Sequence, residues 1–176
     1  MARSLILGGA RSGKTNFAQN LAIQSGLSVS LIVTAQAQDA EMAARIEKHR
    51  QSRPDTWQVV EAPQALPWAI QTHCQAGRCV MVDCLTLWLS NVLCQPGEVD
   101  VAAHTTVLVQ AVSKAAGRLI LVSNEVGWGI VPDNALARQF RDEAGRLHQQ
   151  LAQVCDEVTL VVAGLPWHLK QGAAEP

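Results

Sequence analysis

The sequence predicts an α/β protein, a doubly wound and mostly parallel sheet with helices on both faces. Two patterns point to it. Short apolar, β-branched runs of strand length recur along the chain, and the stretches between them carry apolar residues at helical spacing. The runs are apolar throughout rather than alternating, as strands covered on both faces require. A third observation orients the sheet. The first run, Leu5-Ile6-Leu7, passes into Gly8-Gly9-Ala10-Arg11-Ser12-Gly13-Lys14-Thr15 and then into a helix-like stretch from Lys14 to Gln24. That is a GxxxxGK[ST] phosphate loop in its setting of strand, turn and helix, which makes the predicted sheet one of P-loop type.

Each part of the loop has a physical task. The glycines let backbone N–H groups curl around phosphate oxygens, and the helix beginning beneath them adds its positive dipole end. Lys14 is placed to reach β- and γ-phosphates, and the Thr15 hydroxyl to ligate Mg²⁺ bridging the same phosphates. Nucleoside triphosphate binding is therefore the first functional expectation.

The remaining elements follow in order. Val29 to Thr34 reads as a second buried strand, and Thr34-Ala35-Gln36 then falls at its carboxyl end, where open α/β sheets hold ligands; a solvated loop is the alternative. Asp39 is a fitting N-cap for a helix from Ala40 towards Ser52, with Pro54 beyond its end. Met42, Ile46 and His49 share one face of that helix, and Arg50 and Arg53 follow His49. A histidine there is commonly structural. A neutral imidazole can also attack phosphorus while guanidinium groups stabilise the phosphoryl oxygens.

Trp57 to Glu61 reads as a third strand ending in a carboxylate, and Pro63 to Cys74 as a helix started or interrupted by Pro67. Cys79 to Asp83 is an apolar run ending in Asp, the form of a Walker B strand, and that Asp holds Mg²⁺ directly or through water in such sites. Leu85 to Leu93 continues as an apolar helix or turn broken at Gln95-Pro96-Gly97, and Val99 to Ala115 is a surface helix. Arg118 to Ser123 is a further strand, followed by a glycine-rich loop, Asn124 to Pro132, of the kind that carries function. Glu125 in that loop is a general-base or metal-shell candidate; a capping or solvated glutamate is the plain alternative. Asn134 to Val154 is the clearest helix, with a stripe of Leu136, Phe140, Ala144, Leu147, Leu151 and Val154. Glu157 to Ala163 closes the expected sheet, and Gly164 to Pro176 is expected to be a tail, disordered at its end. The expected division is a single domain over residues 1–170 and a disordered tail over 171–176.

Composition narrows the function. The chain has 176 residues, enough for one substantial core, and its 48% hydrophobic and 16% charged content fits a globular protein. A formal net charge of -1 leaves no electrostatic footprint for nucleic acid, which disfavours a DNA motor on this fold. Five cysteines without a CxxC pair suggest neither a disulfide framework nor a zinc site, and read as reduced, mostly buried thiols of a cytoplasmic protein. No apolar stretch reaches the length of a membrane span.

Taken together, five segments resemble one family: the bifunctional adenosylcobinamide kinase / adenosylcobinamide-phosphate guanylyltransferase of cobalamin biosynthesis. They are GGARSGKT at Gly8, EMAARIEKHRQSRP at Glu41, VDCLTLWLSN at Val82, SNEVGWGIVP at Ser123 and LARQFRDEAGRLHQQLA at Leu136. The resemblance runs from Leu5 to about Lys170. It implies two reactions: phosphorylation of the aminopropanol hydroxyl of adenosylcobinamide by ATP or GTP, then transfer of GMP from GTP, through a guanylylated histidine, to adenosylcobinamide phosphate. It carries the nucleophile to His49, with Lys48 standing where some members have a second histidine. It carries the nucleotide contacts to Gly8 through Thr15, to Val33, Thr34 and Ala35, to Arg50, Gln51, Ser52 and Arg53, and to Glu61 and Asp83. Thr15 and Asp83 are the implied Mg²⁺ residues, and a homo-oligomer, trimers among them, is the implied assembly. Thr15 stands where Ser is more usual, and His148 where Asn often occurs; His148 reads as packing or solvent. Trp88 or Trp128, if exposed, would suit the apolar edges of a corrin. The competing readings are a plain P-loop kinase in which His49 is structural, and a nucleotide-binding module without turnover.

Overall fold

Why the sheet is parallel and covered on both sides is visible in how single strands divide their side chains. A computed structural model describes residues 2–36 and 54–172 of the chain. The strands are β1 (Arg3–Gly8), β2 (Ser28–Val33), β3 (Gln58–Glu61), β4 (Arg78–Asp83), β5 (Arg118–Asn124), β6 (Glu157–Val162) and β7 (Leu165–Lys170). The helices are α1 (Lys14–Gln24), α2 (Leu66–His73), α3 (Leu85–Leu93), α4 (Val101–Ser113) and α5 (Ala135–Val154). Successive strand residues point to opposite faces. Leu5 and Leu7 of β1, with Val80 and Val82 of β4 and Leu119 and Leu121 of β5, meet α2 to α5 on one face. Ile6, Met81, Ile120 and Val122 point the other way, onto Ala18 and Ala22 of α1 and onto Trp57. A strand that must bury both sets of side chains has no polar positions to spare, which is why the runs read as continuously apolar.

The seven strands stand in the order β3-β2-β4-β5-β1-β6-β7. All neighbouring pairs are parallel except β6 with β7. β5 thus lies between the phosphate-loop strand β1 and the Asp-ended strand β4. Helix starts follow local chemistry: Asn134 Oδ1 accepts from Leu136 N–H (2.8 Å) and Ala137 N–H (3.1 Å), and Asp100 Oδ1 accepts from Ala103 N–H (2.9 Å). On α5 the stripe is buried in its second half, at Ala144, Leu147, His148 and Leu151, while Leu136 projects outward.

One expectation is overturned. Residues from Gly164 do not begin a tail, because Leu165–Lys170 returns antiparallel along β6 and closes the sheet in its place. The turn is two residues, Ala163 (φ 52°) and Gly164 (φ 80°), and two positive φ values in succession give the twist a tight hairpin needs. Alanine at the first position is not the Asn or Asp that signals such a turn. Pro166 also argues against a strand, except at an edge, which is where β7 lies. The helix expected from Ala40 to Ser52 and the last four residues lie outside the described residues.

Candidate active site

The phosphate loop is built by its neighbours as much as by its own glycines. β1 ends at Gly8, and α1 starts at Lys14 with Gly13 as its N-cap at φ 93°, a left-handed conformation that favours glycine. Gly13 has no side chain to cap α1, and α2 and α3 also start without a side-chain cap, whereas α4 and α5 have one. Ser12 N–H donates to Gly9 O (3.3 Å) and Lys14 Nζ to Gly9 O (3.2 Å), which folds the loop back over the helix start. From the far side, Gly164 N–H of the β6–β7 turn donates to Ser12 O at 2.8 Å. Ser12 Oγ is buried with no hydrogen-bond partner among the described residues.

Strand register brings the expected residues to one edge. Gly8 pairs with Asn124, Val33 with both Glu61 and Asp83, and Asp83 with Val122, so the carboxyl ends of β1 to β5 finish side by side. α1 packs across β4 and β5, the strand that ends at Asp83 and its neighbour. Lys14 and Asp83 both act electrostatically on the buried Cys84, which places them in one neighbourhood. Burial, and then the Asp83 charge, push the Cys84 thiol up, so it stays protonated.

A hydrogen-bond lattice locks this edge. Thr34 Oγ1 donates to Cys84 O (2.7 Å) and accepts from Cys84 N–H (3.1 Å). Asn91 Nδ2 donates to Thr34 O (2.8 Å) and Pro63 O (3.0 Å), and Asn124 Nδ2 donates to Thr86 Oγ1 (3.0 Å). The Thr34 side chain is therefore turned inward, fully buried, and ties β2 to the chain after β4. Val33, Ala35 and Thr15 are half-buried, and Gly9, Ala10, Arg11 and Glu61 face solvent. His49, Arg50, Gln51, Ser52 and Arg53 lie outside the described residues, in the segment between Gln36, which follows the carboxyl end of β2, and Pro54, which precedes the start of β3.

Of the two tryptophans considered for the substrate, the structure separates the pair. Trp88 is 1% exposed, with Nε1 donating to Gln64 O at 3.2 Å, whereas Trp128 is 73% exposed in the loop after β5. Sequence reasoning missed a polar contact behind the loop: Ser123 Oγ and His148 Nε2 are 2.7 Å apart, both buried. The signal was present, since His148 completes a spacing of 144, 147, 148 and 151 on the buried stripe. The sequence does not single it out, because an imidazole there reads as packing or solvent.

A parallel α/β sheet whose first strand feeds a phosphate loop, with an aspartate on the strand next but one, is a P-loop nucleotide-binding fold suited to moving phosphoryl or nucleotidyl groups. The likeness to solved structures agrees at the level of fold. The RadB recombinase superposes with a TM-score of 0.53 at 14% identity, covering 90% of this chain and 73% of that one. A Pyrococcus horikoshii OT3 protein does so at 0.52 and 11%, covering 97% and 86%. Residues 4–169 match the family described as cobinamide kinase / cobinamide phosphate guanyltransferase, and the chain belongs to that family. It is 51% identical over 168 residues to the bifunctional adenosylcobalamin biosynthesis protein CobP of Pseudomonas aeruginosa, covering 96% of this chain and 97% of that one. It is 41% identical to CobU of Escherichia coli K12, covering 94% and 98%. The chain is thus a transferase of cobalamin biosynthesis, as the five sequence segments implied. No helix among the described residues is long and apolar enough to cross a membrane.

Proposed function

We propose that this enzyme phosphorylates the aminopropanol hydroxyl of adenosylcobinamide with ATP or GTP, and then guanylylates adenosylcobinamide phosphate through a GMP adduct on His49. The observation that carries the reading is the convergence of the uncapped α1 start, Lys14 and Asp83 at one sheet edge, in a chain of the cobinamide kinase / guanyltransferase family. Gly8 through Thr15 cradle the triphosphate. Val33, Ala35 and Glu61, at the neighbouring strand ends, contact the nucleotide, and Thr34 holds those ends in register. Arg50, Gln51, Ser52 and Arg53 complete the nucleotide contacts.

In the transferase step an imidazole nitrogen of His49 attacks the α-phosphorus of GTP. The α–β phosphoanhydride bond breaks, pyrophosphate leaves with the bonding pair, and the imidazole proton passes to solvent. A phosphate oxygen of adenosylcobinamide phosphate then attacks the same phosphorus, and the P–N bond breaks as a proton returns from solvent to restore neutral His49. Splitting the transfer this way replaces one difficult displacement with two in-line ones. In the kinase step the substrate oxygen attacks the γ-phosphorus, and the nucleoside diphosphate leaves.

The residues fit Mg²⁺. Among the described residues no group of three His, Cys, Asp or Glu side chains is placed to hold a metal. Thr15 and Asp83 instead offer two oxygen donors beside a triphosphate site, a set that suits an ion which keeps its waters and shares phosphate oxygens. Bound there, it would offset phosphate charge. The enzyme works as a homo-oligomer, trimers being among the assemblies that the resemblance implies. Supporting this, β7 presents Leu165, Trp167 and Leu169 outward, with Trp167 64% exposed. A cytoplasmic setting suits its five free thiols.

Intact-protein mass spectrometry after incubation with GTP and Mg²⁺ tests the covalent step. A gain of one GMP, lost in brief acid and absent from His49→Ala, is expected. GTP binding without any adduct on the wild-type protein would reject His49 as nucleophile and leave a kinase alone.

A further inference from the structure

Behind the phosphate loop, three side chains connect the core to the site edge. Ser123, fully buried near the end of β5, has its Oγ 2.7 Å from Nε2 of His148 on α5. The other ring nitrogen, Nδ1, is buried, has no hydrogen-bond partner among the described residues, and lies 3.8 Å from Glu125 Oε2. Glu125 is the first residue past β5. Its N–H donates to Gly8 O at 2.9 Å, and its Oε1 accepts from Gly127 N–H at 2.7 Å. The Glu125 side chain is 19% exposed, so its carboxylate is screened but reachable, on a residue whose backbone is bonded to the first residue of the phosphate loop.

The proton positions follow from what each atom faces. Burial lowers the His148 pKa, opposed in part by the Glu125 charge, so the ring is neutral at neutral pH and has one donor and one acceptor nitrogen. A lone pair on Nδ1 would face carboxylate oxygen and repel it. With the proton on Nδ1, Ser123 O–H donates to Nε2 and Nδ1–H points at Glu125 Oε2. The gap of 3.8 Å is too long for a hydrogen bond. Gly127 N–H holds Oε1, and hydrogen bonds among catalytic groups are commonly long without substrate and tighten only when it binds.

We propose that His148 is a positioning residue that holds Glu125 as the proton acceptor for the substrate hydroxyl in the kinase step; this rests on the kinase reading above. As the hydroxyl oxygen bonds to the γ-phosphorus and the bond to the β-phosphate oxygen breaks, the hydroxyl proton passes to the Glu125 carboxylate. It leaves to water once the nucleoside diphosphate departs. His148 keeps its proton throughout. Guanylyl transfer, which removes no substrate hydroxyl proton, does not use the relay.

The test measures the two activities separately on the full chain, with adenosylcobinamide as kinase substrate and adenosylcobinamide phosphate as guanylyl acceptor. Glu125→Gln should lower kinase kcat by about 10²–10⁴-fold. His148→Leu should lower it about 10²-fold with KM for cobinamide little changed. His148→Asn, which restores an N–H near the place of Nδ1, should recover most of that loss. Guanylyl transfer should stay within about twofold in all three. On the wild-type protein, ¹⁵N NMR of the imidazole should show the proton on Nδ1. A proton on Nε2, kinase kcat in His148→Leu within about twofold of wild type, or equal loss of both activities would overturn the relay. A wild-type protein that phosphorylates no cobinamide would overturn the kinase reading itself.

Discussion

Gly8 closes β1 and opens the phosphate loop, and a methyl group there would collide with the strand on its far side. A Cβ at Gly8 would lie 2.5 Å from Ser12 Oγ and 2.6 Å from the Val161 carbonyl oxygen. Ser12 can rotate away, and its hydroxyl gives up no hydrogen bond in doing so. The Val161 carbonyl belongs to the backbone of β6, so in Gly8→Ala β1 and β6 must part by several tenths of an ångström. Overpacking of this kind costs about 1–3 kcal/mol, which for a chain of this size lowers Tm by about 2–12 °C. Gly9 is the matched control, since a Cβ there meets nothing within 4 Å. Gly9→Ala should leave Tm within about 2 °C of wild type, as a change of about 0.5 kcal/mol or less implies. Gly8 O also anchors Glu125 N–H, so the displaced loop should bind GTP at least about tenfold more weakly, about 1.4 kcal/mol. Differential scanning calorimetry and isothermal titration of GTP read both effects. Equal melting temperatures for Gly8→Ala and wild type, or equal destabilisation by the two substitutions, would refute the argument.

Two further predictions concern the base of the sheet and its ligand edge. Arg3 donates to Asp156 through its backbone N–H (2.7 Å), Nε (3.0 Å) and Nη2 (2.8 Å), and these bonds hold the Asp156 carboxyl down to about 2. A lowered folded pKa stabilises above the unfolded value and loses that stability as pH falls through the folded one. Asp156→Asn should therefore cost about 1 kcal/mol at neutral pH, after discounting for solvent exposure. In urea melts the difference from wild type should vanish between about pH 4 and pH 2, and a pH-independent difference would reject the linkage. Trp128→Ala should weaken adenosylcobinamide binding in equilibrium titration while leaving GTP affinity unchanged, and unaltered cobinamide affinity would remove Trp128 from the substrate surface.

What could be read from residues alone was what period and motif control. Leu5 to Leu7 and Val80 to Val82 must be buried strands because each alternate side chain finds an apolar partner on its own face. The loop from Gly8 to Thr15 is readable because each position has a separate physical requirement. Contacts made across distant segments were not readable. Nothing near Thr34 announces that its hydroxyl will close on the Cys84 backbone, fifty positions away. His148 reads as packing or solvent because its partners, Ser123 and Glu125, come from another strand end. The β6–β7 hairpin was missed because Ala163 takes a conformation that alanine rarely adopts.

That hairpin bears on how one loop would serve the two proposed displacements. The phosphate loop is held from both sides by backbone: Gly164 N–H reaches Ser12 O from the β6–β7 turn, and Glu125 N–H reaches Gly8 O from the end of β5. Gly164 also lies close against the loop, since a Cβ at Gly13 would lie 3.1 Å from Gly164 Cα. A loop pinned at its first residue and again just before its helix has little freedom to re-form around a second substrate. On the proposed reading, then, the choice between α- and γ-phosphorus cannot be made by the loop. It must be made by what approaches the fixed phosphates: the segment bearing His49, between β2 and β3, for the first, and the Glu125 edge after β5 for the second. β2 and β5 are separated by β4, which ends at Asp83.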